Sequence, residues 1–244
     1  MKFIAKLHFV LIVPFILISC GGGGGNGAAT LFVPPQSVEN WTIVSSLPFG
    51  ATPTGLALSN KIAYIADGDL SIVDISDPVS PVVAHGIIAH TGNLGGIYRV
   101  AVSGNRMLLA ATPLCDGWCN YDPLAGTVAF YNTSVPSNPI KISEQSMAAG
   151  DVLLEGNIAY ISRDNLQPQL DIIDMSVQPM ASILGTANIG TDGRLAKAGN
   201  NVFLSYNNSS NFEALQTIDV TTPTSPIVLN AGNNAWSLVD HARI

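Results

Sequence analysis

The chain has 244 residues, of which 47% are hydrophobic and only 11% are charged, and its formal net charge is −7. That length suits one all-β domain or two smaller domains, and it is sufficient for a hydrophobic core. The acidic balance excludes the basic footprint of a nucleic-acid-binding protein. Sparse charge together with high hydrophobicity excludes disorder over most of the chain.

The N-terminus has the layout of a bacterial export signal. Two lysines precede an apolar stretch over 9–18, which is shorter than the about 20 residues that a membrane-spanning helix requires. The stretch ends in Leu17-Ile18-Ser19-Cys20, which resembles the lipobox of bacterial lipoproteins. The resemblance implies a signal peptide over 1–19 and a lipidated, palmitate-bearing Cys20 as the first residue of the mature chain. An ordinary secretory signal is the alternative.

A run of five glycines, Gly21–Gly25, follows the predicted lipidation site. Such a run holds no fixed structure, so we predict a flexible tether over 20–40 that keeps the folded domain away from the bilayer. Anionic lipid head groups repel the acidic domain, and the acyl chains would therefore carry the membrane attachment. By resemblance to lipoprotein sorting, Gly21 after the lipidated cysteine implies the outer membrane of a Gram-negative envelope.

Two further cysteines enclose the short segment Cys115-Asp116-Gly117-Trp118-Cys119. An exported chain folds in an oxidising compartment, which favours a disulfide between Cys115 and Cys119. A soft-metal site is the alternative, but two thiols without a nearby histidine make an incomplete ligand set.

The rest of the chain repeats one phrase four times. Each copy is an apolar run that ends in Asp or Asn and is followed by a proline-containing turn, and the copies start at Leu70, Val128, Leu170 and Leu215. A second phrase precedes every copy, with two short apolar runs around a Gly/Asn-type turn, and indicates a β-hairpin. Apart from one longer interval that holds the cysteine segment, the period is about 42 to 45 residues, which is typical of four-stranded propeller blades.

These paired phrases resemble the LVIVD-repeat family of exported bacterial and archaeal proteins over residues 54–228. The resemblance implies a β-propeller, and we predict an all-β propeller domain over 41–244 with four recognisable four-stranded blades plus an incomplete closing blade. Residues 41–46 would give the closing blade an outer strand, and residues 235–244 would begin its hairpin and stop within the second strand. We therefore expect the chain to be a truncated form of a longer propeller; an open or strained ring is the alternative.

The polar residue at the end of each repeated strand has a predicted structural role. A short carboxylate or amide side chain can accept hydrogen bonds from the amides of the following turn. We therefore interpret this position as a turn residue of the blade, and repeated metal-binding or catalytic carboxylates are the alternative. The four residues are Asp74, Asn132, Asp174 and Asp219.

The candidate binding face is the end of the propeller that carries the variable loops and the crossings between blades. Loops of variable length on a repeating scaffold are where recognition is generally found. Aromatic residues among carboxylates and amides suit a protein or glycan partner, although locally packed loops are an equally good interpretation. The residues on this face are Asp67, Asp69, Trp118, Tyr121, Asp122, Arg163, Asp164, Tyr206, Asn207, Phe212 and Glu213.

Motifs for catalysis are lacking, since no histidine pair has metal-ligand spacing and no nucleophile elbow or phosphate loop is present. Asp67 and Asp69 could contribute to a calcium site, but they lack the ligand series of a loop cage. We expect a lipid-anchored envelope protein that binds an envelope or extracellular protein or a glycan, without a cofactor, catalysis or nucleic acid. A propeller enzyme or metal-dependent carbohydrate-active protein, with its site on the same face, and a non-functional truncated product are the alternatives.

Overall fold

The computed structural model describes residues 5–7, 43–49, 51–88, 94–113, 126–163, 167–176, 182–207 and 213–230. The regular structure of these residues consists of strands, sixteen of which form four antiparallel four-stranded sheets. Nowhere in these ranges is there a helix that could span a bilayer.

Each sheet is one continuous stretch of chain, with its strands in sequence order. Blade 1 contains β3 (Gly55–Ser59), β4 (Ile62–Ala66), β5 (Leu70–Asp74) and β6 (Val82–Ile88). Blade 2 contains β7 (Leu94–Ser103), β8 (Arg106–Pro113), β9 (Thr127–Asn132) and β10 (Ile140–Ser146). Blade 3 contains β11 (Ala149–Glu155), β12 (Ile158–Arg163), β13 (Gln169–Asp174) and β14 (Ser182–Asn188). Blade 4 contains β15 (Arg194–Ala198), β16 (Asn201–Asn207), β17 (Glu213–Asp219) and β18 (Ile227–Val228).

Consecutive blades pack face to face around an axis, with the first strand of each blade innermost. Strand β7 lies against β3 and β11, and β11 lies against β15. One apolar cluster fills each of the three spaces between blades 1 and 2, 2 and 3, and 3 and 4. The second and third strands are buried on both faces, which explains their continuous apolar runs. The prediction of an all-β propeller with four four-stranded blades is confirmed.

The interpretation of residues 41–46 as an outer strand is wrong for its described part, because 43–46 form no strand. The strand begins later, as β2 (Leu47–Phe49), and pairs with β1 (Ala5–Leu7), which falls in the predicted signal peptide. The physical reason is packing: Leu47 and Phe49 cover the free face of blade 1, whereas the preceding apolar side chains are exposed. Residues 235–244, the predicted tether, and the predicted lipidation and disulfide cysteines lie outside the described residues.

The turn after the third strand has the same hydrogen bond in every blade. The side chain of the last strand residue accepts a hydrogen bond from the backbone N–H two residues later, at 2.8 Å in blades 1, 2 and 4 and 2.7 Å in blade 3. These acceptors are Asp74, Asn132, Asp174 and Asp219. This is the geometry of an Asx turn, and Asn132 makes it as well as the three aspartates do.

These turns should make the stability of the folded chain sensitive to acid. Hydrogen bonds from the residue two positions later hold the pKa of each turn carboxyl below its ordinary 3.8, chiefly from the backbone N–H for Asp74 and from the side-chain hydroxyl for Asp174 and Asp219. A lowered folded-state pKa means that this stabilisation is present above the ordinary value and is lost as the pH falls through the folded-state pKa.

We therefore expect the triple variant Asp74→Asn, Asp174→Asn, Asp219→Asn to keep its turns. Between about pH 6 and about pH 3, its melting temperature should fall less than that of the parent. Blade 2 already carries asparagine at this position, so Asn132→Asp provides the reverse control. If the melting temperatures of all three proteins fell equally as the pH is lowered, this role would be contradicted.

Candidate functional site

One register position of the innermost strand, four residues before the strand ends, distinguishes the four blades. It holds Gly55, Arg99, Asp151 and Arg194 in blades 1 to 4, and each residue pairs with the equivalent position of the second strand. Because strands alternate in direction, this position lies at the end of the propeller that carries the crossings between blades. The position therefore belongs to the face on which the sequence predicted a binding site.

Arg99 joins three blades. Its guanidinium Nε lies 3.3 Å from Oδ1 of Asp151 in the next blade, and both side chains are only 14% exposed. Its Nη1 donates hydrogen bonds to the backbone oxygens of Thr54 in the preceding blade, at 2.9 Å, and of Tyr98, at 2.6 Å. A partly buried arginine with three oxygen partners fixes the relative positions of the blades that supply them.

Asp151 extends this network to blade 4. Its Oδ2 accepts a hydrogen bond of 2.8 Å from the backbone N–H of Leu195. Its backbone N–H donates to Oγ of Ser162 at 2.9 Å, and that hydroxyl donates to the backbone oxygen of Gly193 at 2.9 Å. Polar contacts at the axis therefore run from blade 1 through blades 2 and 3 to blade 4.

Burial governs the electrostatics of this network. Burial, and then the nearby positive charge of Arg194, lower the pKa of the Arg99 guanidinium. Burial also raises the pKa of the Asp151 carboxyl, although the hydrogen bond from Leu195 and the charges of Arg99 and Arg194 act in the opposite direction. Asp151 is ion-paired with Arg99, and the positive charge of Arg194 also acts on its carboxylate.

A cleft of about 340 Å³ opens beside this network. Its walls come from the innermost strands of blades 2, 3 and 4, from the loop that enters blade 4 and from the second strand of blade 4. They consist of Arg99, Gly150, Thr191, Asp192, Gly193, Arg194, Ser205 and Tyr206. A volume of this size is at the lower end of the range for small-molecule pockets. The cleft can therefore hold a ligand of a few tens of atoms or the end of a chain.

Two glycines of the cleft cannot carry a side chain. A Cβ at Gly150 would overlap the carboxylate of Asp192, and a Cβ at Gly193 would overlap the backbone oxygen of Ser205. Glycine at these two positions therefore lets Asp192 pack against blade 3 and lets the loop that enters blade 4 pack against Ser205.

The structure brings one of the predicted binding residues, Tyr206, to this cleft. Arg163 instead forms an ion pair of 2.8 Å with the fully buried Asp171, and it accordingly has a structural partner. Five other predicted residues lie outside the described part: Trp118, Tyr121, Asp122, Asp164 and Phe212. The same holds for the side chains of Asn207 and Glu213.

The other two predicted residues, Asp67 and Asp69, lie on a short loop that pairs with Ile97 of blade 2. Burial, and then the negative charge of Asp69, raise the pKa of the Asp67 carboxyl. Within the described residues, no group of three or more His, Cys, Asp or Glu side chains is placed to hold a metal ion.

Sequence reasoning missed the charged cleft residues Arg99, Asp151, Asp192 and Arg194. A signal was available: when the four hairpin phrases are aligned on their turns, one position near the start reads Gly, Arg, Asp, Arg. The apolar residues define the repeat and bury the blades, so the variable polar position was not singled out.

Comparison with known proteins agrees with this architecture. The LVIVD repeat model matches residues 53–86 and 148–179, which lie in blades 1 and 3. No curated protein sequence matches the chain.

Solved structures with a similar fold are distant in sequence. TolB from Acinetobacter baumannii is 16% identical with a TM-score of 0.49, and the match covers 76% of this chain and 45% of that one. The computationally designed Ika4 protein is 14% identical with a TM-score of 0.44, over 68% and 91% of the two chains. The Pseudomonas aeruginosa periplasmic gluconolactonase PpgL is 13% identical with a TM-score of 0.46, over 78% and 74%. Likenesses at this level assign no function; the repeat matches and the four sheets together identify the chain as a β-propeller that carries LVIVD repeats.

Proposed function

We propose that this chain is an exported, lipid-anchored recognition module of the cell envelope, which binds a protein or glycan ligand in the cleft between blades 2, 3 and 4. The observation that carries the proposal is the cleft itself, a concave site at the axis whose charged walls come from separate blades. Concave sites with a few convergent polar groups are where ligands generally bind.

The partners of the carboxylates favour binding over catalysis. Asp151 is engaged by Arg99 and by the backbone N–H of Leu195, so its oxygens hold the blades together. Asp192 accepts a hydrogen bond of 3.2 Å from Thr191 and packs against Gly150. A general acid or base must have a free path to the proton that it transfers, and these contacts fix the carboxylates instead.

The proposal is tested by NMR titration of the isotope-labelled domain from residue 26 onward with peptide and polysaccharide fractions of bacterial envelopes. We expect saturable shifts of the amide signals of Gly150, Gly193, Arg194 and Tyr206, with the bound component recovered unchanged. Conversion of that component into a product would contradict a binding module. Shifts confined to the proline-containing turns at the opposite end would contradict the proposed site.

Membrane attachment is proposed to depend on Cys20. We expect Cys20→Ala to abolish labelling by radioactive palmitate and to move nearly all of the protein out of the envelope membrane fraction, because the acidic domain has no attraction for anionic lipid. Fractionation on a density gradient tests whether the parent protein sits in the outer membrane. An unchanged membrane fraction for Cys20→Ala, with its palmitate label lost, would contradict lipid anchoring.

A further inference from the structure

The chemistry of the cleft also indicates the class of ligand, an inference that rests on the proposed function. We infer that the cleft binds an acidic sugar residue, a uronic acid of a glycan, with the sugar carboxylate on Arg194 and the sugar ring against Tyr206. Three features of the cleft lead to this class of ligand: one exposed guanidinium, nearby carboxylates that balance the two guanidiniums, and a wall of hydroxyl groups.

Arg194 is the cationic group of the cleft that is open to a ligand. Its side chain is exposed, and no hydrogen bond or ion pair of its guanidinium is found within the described residues. Arg99, in contrast, is held by Asp151 and two backbone oxygens. In the repeat, the equivalent side chains of blades 2 and 3 reach oxygen or nitrogen atoms of the next blade, whereas Arg194 lies in the last described blade and lines the cleft.

The charge balance favours a single negative charge on the one sugar residue that occupies the cleft. Arg99 and Arg194 lie close enough for the charge of Arg194 to lower the pKa of Arg99, so an added anion would relieve repulsion between them. Asp192 lines the cleft and Asp151 is paired with Arg99 beside it, so both carboxylates would repel a doubly charged phosphate group more strongly than a singly charged carboxylate. A guanidinium binds a carboxylate through two parallel hydrogen bonds, which is the arrangement that one free arginine can provide.

The remaining walls suit the body of a sugar. Thr191, Ser205 and the carboxylate of Asp192 offer hydrogen-bond donors and acceptors for hydroxyl groups, while Tyr206 offers an aromatic ring. An amino acid would satisfy Arg194 and Asp192 but would leave the hydroxyl-rich wall unused, so it is treated below as a contradicting outcome.

The test is isothermal titration of the domain from residue 26 onward with trigalacturonic acid. Its methyl ester removes the negative charges and keeps the sugar rings, and glutamate provides the amino-acid comparison. The protein variants are Arg194→Gln and Lys61→Gln, which remove one positive charge each; Lys61 lies in a hairpin turn at the opposite end of the propeller. Both residues are exposed, so melting temperatures close to that of the parent are expected and are measured first.

We expect trigalacturonate to bind the parent and Lys61→Gln equally, and Arg194→Gln or the methyl ester to weaken binding by about tenfold or more. Equal binding of the methyl ester, equal binding by Arg194→Gln, or stronger binding of glutamate would overturn the acidic-sugar assignment. Absence of trigalacturonate binding would overturn it too, and the proposed function would still stand if envelope fractions shift the cleft amides. If neither trigalacturonate nor any fraction affects the cleft, both the assignment and the proposed function fail.

Discussion

Asp151→Ala should lower the free energy of unfolding by about 3 kcal/mol. This value is at the lower end of the cost of breaking a buried ion pair, because both side chains retain some exposure. The substitution leaves the Arg99 guanidinium without its carboxylate partner and the backbone N–H of Leu195 without its acceptor. Since these contacts join blades 2, 3 and 4, the loss should appear as one cooperative change in urea-induced unfolding.

The surface pair of Lys141 and Glu144 provides the control. Its atoms lie 2.8 Å apart, closer than the Arg99–Asp151 pair, but its side chains are 33% and 30% exposed. We expect Glu144→Ala to change the unfolding free energy by less than about 0.5 kcal/mol, because exposed pairs gain little over hydration. Equal effects of the two substitutions would show that the axial network does not stabilise the assembly of the blades.

Ile72→Ala and Ile172→Ala should each lower the free energy of unfolding by about 3 kcal/mol, the cost of the lost apolar burial plus a cavity. The two residues occupy the same position of the repeated strand, in β5 and β13. Both are fully buried in the spaces between consecutive blades, Ile72 between blades 1 and 2 and Ile172 between blades 3 and 4. Equivalent surroundings predict equivalent losses.

Leu58→Ala, at a position 57% exposed in β3, is the matched control and should cost less than about 1 kcal/mol. Urea unfolding measured by far-ultraviolet circular dichroism compares the three variants. A loss for Ile172→Ala close to that for Leu58→Ala would contradict the burial of blade 3 against blade 4.

The blade architecture was predictable because the same physical demands recur in every repeat. Strands that are buried on both faces must be continuously apolar, as Leu70–Asp74 is, and the chain must then turn without leaving backbone groups unpaired. The recurring Asp or Asn meets that second demand through its bond to the turn amide. Local chemistry of this kind is visible in sequence, and it places the strand ends to within a residue or two.

The cleft was not predictable in the same way, because it depends on which polar side chains of different blades meet. Arg99 and Asp151 are 52 positions apart in a segment whose loop length differs from the other intervals. Their ion pair requires the innermost strands of blades 2 and 3 to be neighbours in a particular register. Tyr206 was predictable because an aromatic residue at the variable-loop end suggests recognition, whereas Arg194 lies just before the fourth hairpin phrase and no motif marks it.

A crystal structure of the domain from residue 26 onward, grown with trigalacturonic acid, tests the central claim that ligands bind at the axis between blades 2, 3 and 4. We predict a sugar carboxylate about 2.8 Å from the guanidinium nitrogens of Arg194, with the ring beside Tyr206. Sugar density at the proline-containing turns or on an outer strand, with the cleft holding solvent alone, would contradict the claim.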